Sequence, residues 1–329
     1  MNQARTVSPL TEKLLIAAGN ALARRHGGSR MCVINYHRVL AAKNPLVAEP
    51  DLATFSWQME LLARCFNVLP LRDGLRALDA GRLPPRAVCI TFDDGYRSLH
   101  DLALPVLRAY HLPATVFVTS GHIDEGNMWN DRIIDAIQVL PDGTLNLDEF
   151  GLGTYPLQNV AQRRAAIDTV TERSKYLPPA TRHAVIEHLD ALGGRAETPG
   201  LMLTRDMMLH LDREGIEVGA HTVTHPILTS LDDDSARSEI VDCKQQLENI
   251  LGKPVRLFAY PNGKAGKDYN QHHVTMVRQA GFEAAFTTEI SAIRLGQDRF
   301  QLPRSRPWDT TPLRFGLRLL HWLAQGRDQ

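Results

Sequence analysis

AVCITFDDGYRS, residues 87–98, runs a short apolar stretch into two adjacent aspartates and a glycine. The run from Ala87 to Phe92 has the length and composition of a strand buried on both faces. Asp-Asp-Gly is good turn chemistry, and turn formation is one account of why Asp93 and Asp94 stand together. The rest of the chain decides between that account and a chemical one. Outward from this stretch, MCVINYHRV (31–39), ATVFVTS (114–120), IEVGAH (216–221), VRLFAYP (255–261) and EAAFTT (283–288) read as further strands. Amphipathic segments such as 55–65 and 232–251 lie between them. This alternation predicts an α/β fold with a largely parallel sheet.

Residues 11–26 carry leucine, isoleucine and alanine at helical spacing and end in basic residues before Gly27-Gly28, a glycine stop. The expected organisation is an N-terminal helix within 1–29, a catalytic region over 30–311, and an amphipathic helix over 312–329. A long, mostly helical insertion interrupts the rhythm at about 128–205. The tail, PLRFGLRLLHWLAQGR, sets Leu317, Leu320 and Leu323 near one face, and docking on the core is preferred over a membrane surface. With 37 basic and 37 acidic residues the chain is balanced, which disfavours nucleic acid as a partner. Cys32, Cys65, Cys89 and Cys243 have no C-x-x-C spacing and read as buried thiols. No secretory signal or membrane-spanning run is evident, so a cytoplasmic location is expected, with peripheral membrane contact left open. Protein partners cannot be read from these features.

Two further strand ends carry polar residues. HTVTHP places His221 and His225 four residues apart, a spacing that lets both imidazoles face one point. Two histidines and a carboxylate make a three-ligand set that leaves positions open for water and substrate. AYPNG (259–263) ends its strand in a tight, glycine-containing turn, where a backbone N–H can be left facing outward. In α/β barrels such strand ends meet at one face, and that face carries the chemistry. Turn formation explains each motif singly but not the three together.

TFDDG, HTVTH and AYPNG, in that order, resemble the first three motifs of the polysaccharide deacetylases, the NodB-homology carbohydrate esterases, over roughly residues 30–306. The resemblance implies a deformed (β/α) barrel with a helical insertion and a metal-dependent hydrolysis of N-acetyl groups on amino sugars. It implies Asp94, His221 and His225 as ligands of a divalent ion, zinc by default with cobalt, nickel or iron also suited. It leaves Asp93 as the general base and the backbone N–H of Asn262 as an oxyanion donor.

Two departures shift roles. Many members carry an arginine two positions before the proline of the third motif, where this chain has Ala259. Arg304 in FQLPRSRP (300–307), at the end of an expected last strand, is preferred over Arg306 as the replacement cation. The late Leu-x-His motif is missing, and His321 lies inside the tail helix. VINYHRV instead resembles the arrangement of exopolysaccharide deacetylases acting on poly-N-acetylglucosamine, which makes His37 the expected acid for the leaving amine. NMWNDR (127–132) offers Trp129 as a wall for a sugar ring, and His272-His273 is read as an unremarkable pair in a polar loop. The expected function is N-deacetylation of N-acetylhexosamine units in a bacterial exopolysaccharide or cell-envelope glycan. A deformylase or deacetylase of a polyprenyl-linked sugar and a non-catalytic glycan binder remain the alternatives.

Overall fold

The structure is a computed structural model that describes residues 7–26, 29–193, 200–306 and 309–325. Helix α1 (Pro9–His26) precedes β1 (Arg30–Tyr36), and α2 (Leu52–Cys65), β2 (Asn67–Val68) and α3 (Leu71–Asp79) lead to β3 (Ala87–Phe92). Then come α4 (Leu104–Ala109), β4 (Thr115–Val118) and a lobe of α5 (Trp129–Val139), the hairpin β5 (Thr144–Asn146) and β6 (Thr154–Pro156), α6 (Val160–Ser174) and α7 (Pro179–Gly193). Helix α8 (Arg205–Arg213) returns the chain to β7 (Glu217–Ala220), followed by α9 (Asp233–Leu251), β8 (Leu257–Ala259), α10 (Gln271–Gln279), β9 (Ala284–Phe286), β10 (Ile293–Arg294) and α11 (Pro312–Ala324). The Gly27-Gly28 stop expected after α1 lies outside the described residues.

The main sheet runs β10-β1-β3-β4-β7-β8-β9, with β2 also paired to β3. Only β10, on β1, is antiparallel. The sheet curls until residues 302–305 join its edges. Leu302 donates to the Ala285 carbonyl at 2.9 Å and accepts from Thr287 at 2.8 Å, while Ser305 donates to Val33 at 2.8 Å and accepts from Asn35 at 3.0 Å. Both contacts are parallel bridges, Phe286 to Leu302 and Ile34 to Ser305. The result is a deformed (β/α) barrel whose seam is a short bridging segment instead of the regular last strand expected there.

Strand parity builds the two faces of this sheet, since alternate residues point to opposite sides. Met31, Val33, Ala87, Cys89, Phe117, Leu257 and Phe286 fill the interior, and Cys32, Ile34, Val88, Ile90, Val116 and Val218 pack in the outer core with the helices. All four cysteines are free and buried. Gly219 on β7 keeps room for Phe117, whose ring carbons lie 2.6–2.7 Å from where a Cβ would stand.

Some elements differ from expectation for physical reasons. The strands β2, β5, β6 and β10 have two or three residues each, too few to show a period, and the hairpin lies inside the segment read as mostly helical. Helix α11 does dock on the core, but through Phe315, Leu319, Leu320, Trp322 and Leu323; Leu317 is 49% exposed. Position 317 lies nearly opposite that stripe on a 3.6-residue period, which corrects its assignment to the apolar face. The stripe packs against α1, α2 and β1 and is not left for a membrane surface. Among the described residues, no helix is long and apolar enough to cross a membrane. His272 and His273 open α10 instead of lying in a loop, and the His273 ring accepts the Asn270 N–H at 3.0 Å in a capping box.

Candidate active site

The carboxyl ends of β1, β3, β7 and β8 and the seam converge on one rim of the barrel. Parity carries Asn35, Thr91 and Asp93 onto the interior face, in line with Val33 and Cys89, and β1 and β3 are in register with Asn35 opposite Thr91. Asp94 leaves this alternation at once. Its φ of 71° and that of Gly95, 89°, turn the backbone so that adjacent carboxylates face different neighbours. Thr222, His225 and Asn262 also have positive φ, so four of the seven described non-glycine residues in that region cluster here.

Asp93 is buried and fully engaged. Arg304 grips it in a fork, Nη1 to Oδ1 at 2.6 Å and Nη2 to Oδ2 at 2.8 Å, and Asn35 donates to Oδ2 at 2.9 Å. Arg304 is itself only 1% exposed. It also donates to the Thr287 carbonyl at 3.2 Å and lies 5.0 Å from the centre of the Phe117 ring. Burial alone would push the Asp93 carboxyl up, but Arg304 and His221 hold it below the ordinary carboxylate value. The seam thus delivers the cation that Ala259 does not provide, while Arg306 pairs with Glu49 at 2.7 Å.

Asp94 faces the histidines. Its Oδ1 lies 3.4 Å from His221 Nε2 and 3.5 Å from His225 Nε2, and it has no hydrogen-bond partner although it is buried. His221 Nδ1 lies 2.8 Å from the Ala259 carbonyl; donating its proton there leaves the Nε2 lone pair facing Asp94. The ligand atoms of the three residues all lie within 4.8 Å of one another. Donors bound at about 2.0–2.2 Å to one tetrahedral ion sit roughly 3.3–3.6 Å apart, as Asp94 Oδ1 does from each imidazole, and an unpartnered buried carboxylate oxygen is what an ion would satisfy. The three residues therefore fit a divalent metal with one side open. Burial would push the Asp94 carboxyl's pKa up, but His221 and His225 hold it well below the usual carboxylate range. Burial pushes the His225 imidazolium down to about 3, which keeps its ring neutral for coordination. His221 moves the other way, because Asp93 and Asp94 outweigh its burial.

A cleft of about 470 Å³ opens over these groups and is lined by His37, Asp93, Asp94, His221, His225, Asn262 and Trp129 among others. His37 follows β1 and its Nδ1 has no partner. No described residue accepts from the Asn262 N–H. His321 is exposed on α11, whose last turn binds Arg30 at the start of β1, the opposite end of the strand from His37. Sequence reasoning missed Asn35 and Thr91, although polar residues at interior positions of two apolar strands were the available signal. It also missed Asp131, which lies in the lobe, accepts from Arg38 at 3.0 Å and from the Tyr96 hydroxyl at 3.0 Å, and so ties α5 to the loops behind His37 and Asp94.

Comparison with known proteins agrees with this geometry. The polysaccharide deacetylase family model matches residues 80–285. The chain belongs to the polysaccharide deacetylase family. Among curated relatives, a poly-β-1,6-N-acetyl-D-glucosamine N-deacetylase of Staphylococcus epidermidis is 31% identical over 139 residues, covering 38% of this chain and 48% of that protein. Its Staphylococcus aureus counterpart is 33% identical over 146 residues, 39% and 49% respectively. The alignments thus span about half the length of these relatives. Among solved structures, IcaB from Ammonifex degensii superposes with a TM-score of 0.59 at 19% identity, over 90% of this chain and 98% of that one. The Streptococcus pyogenes deacetylase PplD in complex with acetate gives 0.58 at 19%, over 89% and 98%. These two likenesses show that the polysaccharide deacetylase barrel extends beyond the segment matched by the family model.

Proposed function

We propose that this polysaccharide deacetylase is a divalent-metal-dependent N-deacetylase of N-acetylhexosamine units in a bacterial exopolysaccharide, with a β-1,6-linked poly-N-acetylglucosamine as first candidate. The observation that carries the reading is the division of labour between neighbours: Asp94 faces two imidazoles while Asp93 is held apart by Arg304. The relatives named above, which act on poly-β-1,6-N-acetylglucosamine, support the substrate class.

Asp94, His221 and His225 would hold a divalent ion, zinc first and cobalt, nickel or iron after it, which would supply positive charge to acidify water and polarise an acetamide carbonyl. Asp93 accepts the proton of the attacking water. Its low proton affinity makes it an anion across the neutral range and a weak base, so it matches water that is already acidified. Arg304 and Asn35 fix the direction of its free lone pairs. The Asn262 N–H stabilises the oxygen that gains charge, and His37, half-buried beside the cleft, protonates the departing amine.

The test is acetate release from β-1,6 and β-1,4 N-acetylglucosamine oligomers by metal-loaded protein, with Asp93→Asn and bound metal measured in parallel. Turnover is expected in the parent and to fall at least 10²-fold in Asp93→Asn, with bound metal retained. Metal lost together with activity in Asp93→Asn would overturn the separation of roles.

A further inference from the structure

We infer that the lobe side of the cleft is a subsite for an uncharged sugar unit next to the one that carries the acetyl group, so that chain length is recognised by the lobe and not by the barrel. This rests on the deacetylase reading above and extends it to residues outside the three strand-end motifs, Trp129 among them.

The first observation is where unpartnered polar atoms collect. Buried polar atoms ordinarily find a hydrogen-bond partner, and each exception asks for an explanation. Away from the aspartates and histidines, and apart from Arg306, whose Nη2 is ion-paired with Glu49 at 2.7 Å, the cleft is lined by four such atoms: Glu49 Oε2, Trp129 Nε1, Asn130 Oδ1 and Thr171 Oγ1. They come from three separate segments, the loop after β1, the start of α5 and the body of α6, so no single turn or cap accounts for them. Together they offer an N–H donor, two acceptors and a hydroxyl that does both. That mixture matches the hydroxyls of a pyranose ring, each of which donates and accepts.

The second observation is charge. Arg38 is held by Asp131, Arg164 lies 2.9 Å from Asp168, Lys175 pairs with Glu172, and Arg306 pairs with Glu49. These are all the lysines and arginines that line the cleft among the described residues, and each has its carboxylate. A phosphate-bearing sugar would need cations free to meet it, and an ammonium-bearing sugar a surplus of carboxylates. Neither is present, and a neutral glycan is what the wall fits.

The third is rigidity. Asp131 clamps α5 to Arg38 and Tyr96, and the Arg182 guanidinium lies 4.9 Å from the centre of the Trp129 ring, which fixes that indole. A wall held in this way loses little freedom when a ligand binds.

The test compares kcat/KM for acetate release from an N-acetylglucosamine tetramer with that from the monosaccharide, in the parent and in Trp129→Phe and Thr171→Val. Thr171→Val is isosteric and deletes one unpartnered atom, while Trp129→Phe keeps an aromatic ring and deletes the indole N–H. The parent is expected to favour the tetramer, and the tetramer-to-monomer ratio to drop about three- to tenfold in each variant, the cost of one hydrogen bond. Damage to folding would lower both substrates together and leave the ratio. A parent with no preference for length, or variants with the parent's ratio, would overturn the subsite while the deacetylase reading stands. Preference for a sugar 1-phosphate over the neutral tetramer would overturn its uncharged character. Failure of the parent to release acetate from any of these would overturn the deacetylase reading, and the subsite with it.

Discussion

Arg304 is the residue on which the charge balance of the site turns. Its fork meets both Asp93 oxygens, an arrangement that an ammonium group cannot copy. Arg304→Lys is expected to keep the fold and the bound metal yet lose about 10²-fold in acetate release, read by steady-state kinetics beside metal analysis. Arg304→Ala leaves a buried carboxylate without its cation and should cost about 3–5 kcal/mol of stability, read by urea unfolding. Replacing His221 by Gln should abolish bound metal, since His221 alone among the three has its far nitrogen fixed on a carbonyl. Much of this was legible in advance: the aspartate pair, both histidines and Arg304 stand out as polar residues at strand ends. Asn35 and Thr91 were not, because an Asn or Thr within a strand carries no mark of its partner until the register of β1 on β3 is known.

At the level of the element, β7 contains a group placed against its own charge. Glu217 opens the strand, and its neighbour Arg72 lies 3.7 Å away but is committed to Glu283 at 2.9 Å. Burial, only partly offset by Arg72, pushes the Glu217 carboxyl up to about 7. The folded state therefore takes up a proton more readily than the unfolded chain, so the contribution is full below about pH 4.5 and is lost as the pH rises to 7. Glu217→Gln should be more stable than the parent by about 1–3 kcal/mol at pH 8 and equal to it at pH 4.5, measured by urea unfolding at both. The turn after β8 is constrained in a different way. Gly263 has a φ of 69°, and a Cβ there would lie 2.9 Å from the Thr288 nitrogen. Gly263→Ala should cost about 1–3 kcal/mol and move the Asn262 N–H, seen as a fall in kcat. The helices and long strands were readable from their periods, while the short strands and the seam take their structure from partners far along the chain.

The whole molecule is a barrel carrying a lobe with a core of its own. Ile133, Ile137, Ile167, Val170, Val185 and Leu189 form a separate cluster, and Leu46, from the loop after β1, is inserted into it. Leu189→Ala should therefore raise amide hydrogen exchange over α5–α7 first, while β1, β3 and β7 stay protected; loss of protection throughout would mean that lobe and barrel unfold as one. The insertion was visible as a break in the β/α rhythm, and NMWNDR pointed to Trp129 as a wall; Thr171 and Glu49 beside it were not legible, because only the folded chain brings them to the same cleft. The seam has a consequence for how such a molecule comes into being. Asp93 is laid down early in synthesis, and its guanidinium arrives only with residues 302–305, which also stitch β9 to β1. A nascent or trimmed chain that stops short of them holds Asp93 without its cation and an open sheet. The pairing of Asp93 with Arg304 is thus reached in the same step that completes the barrel.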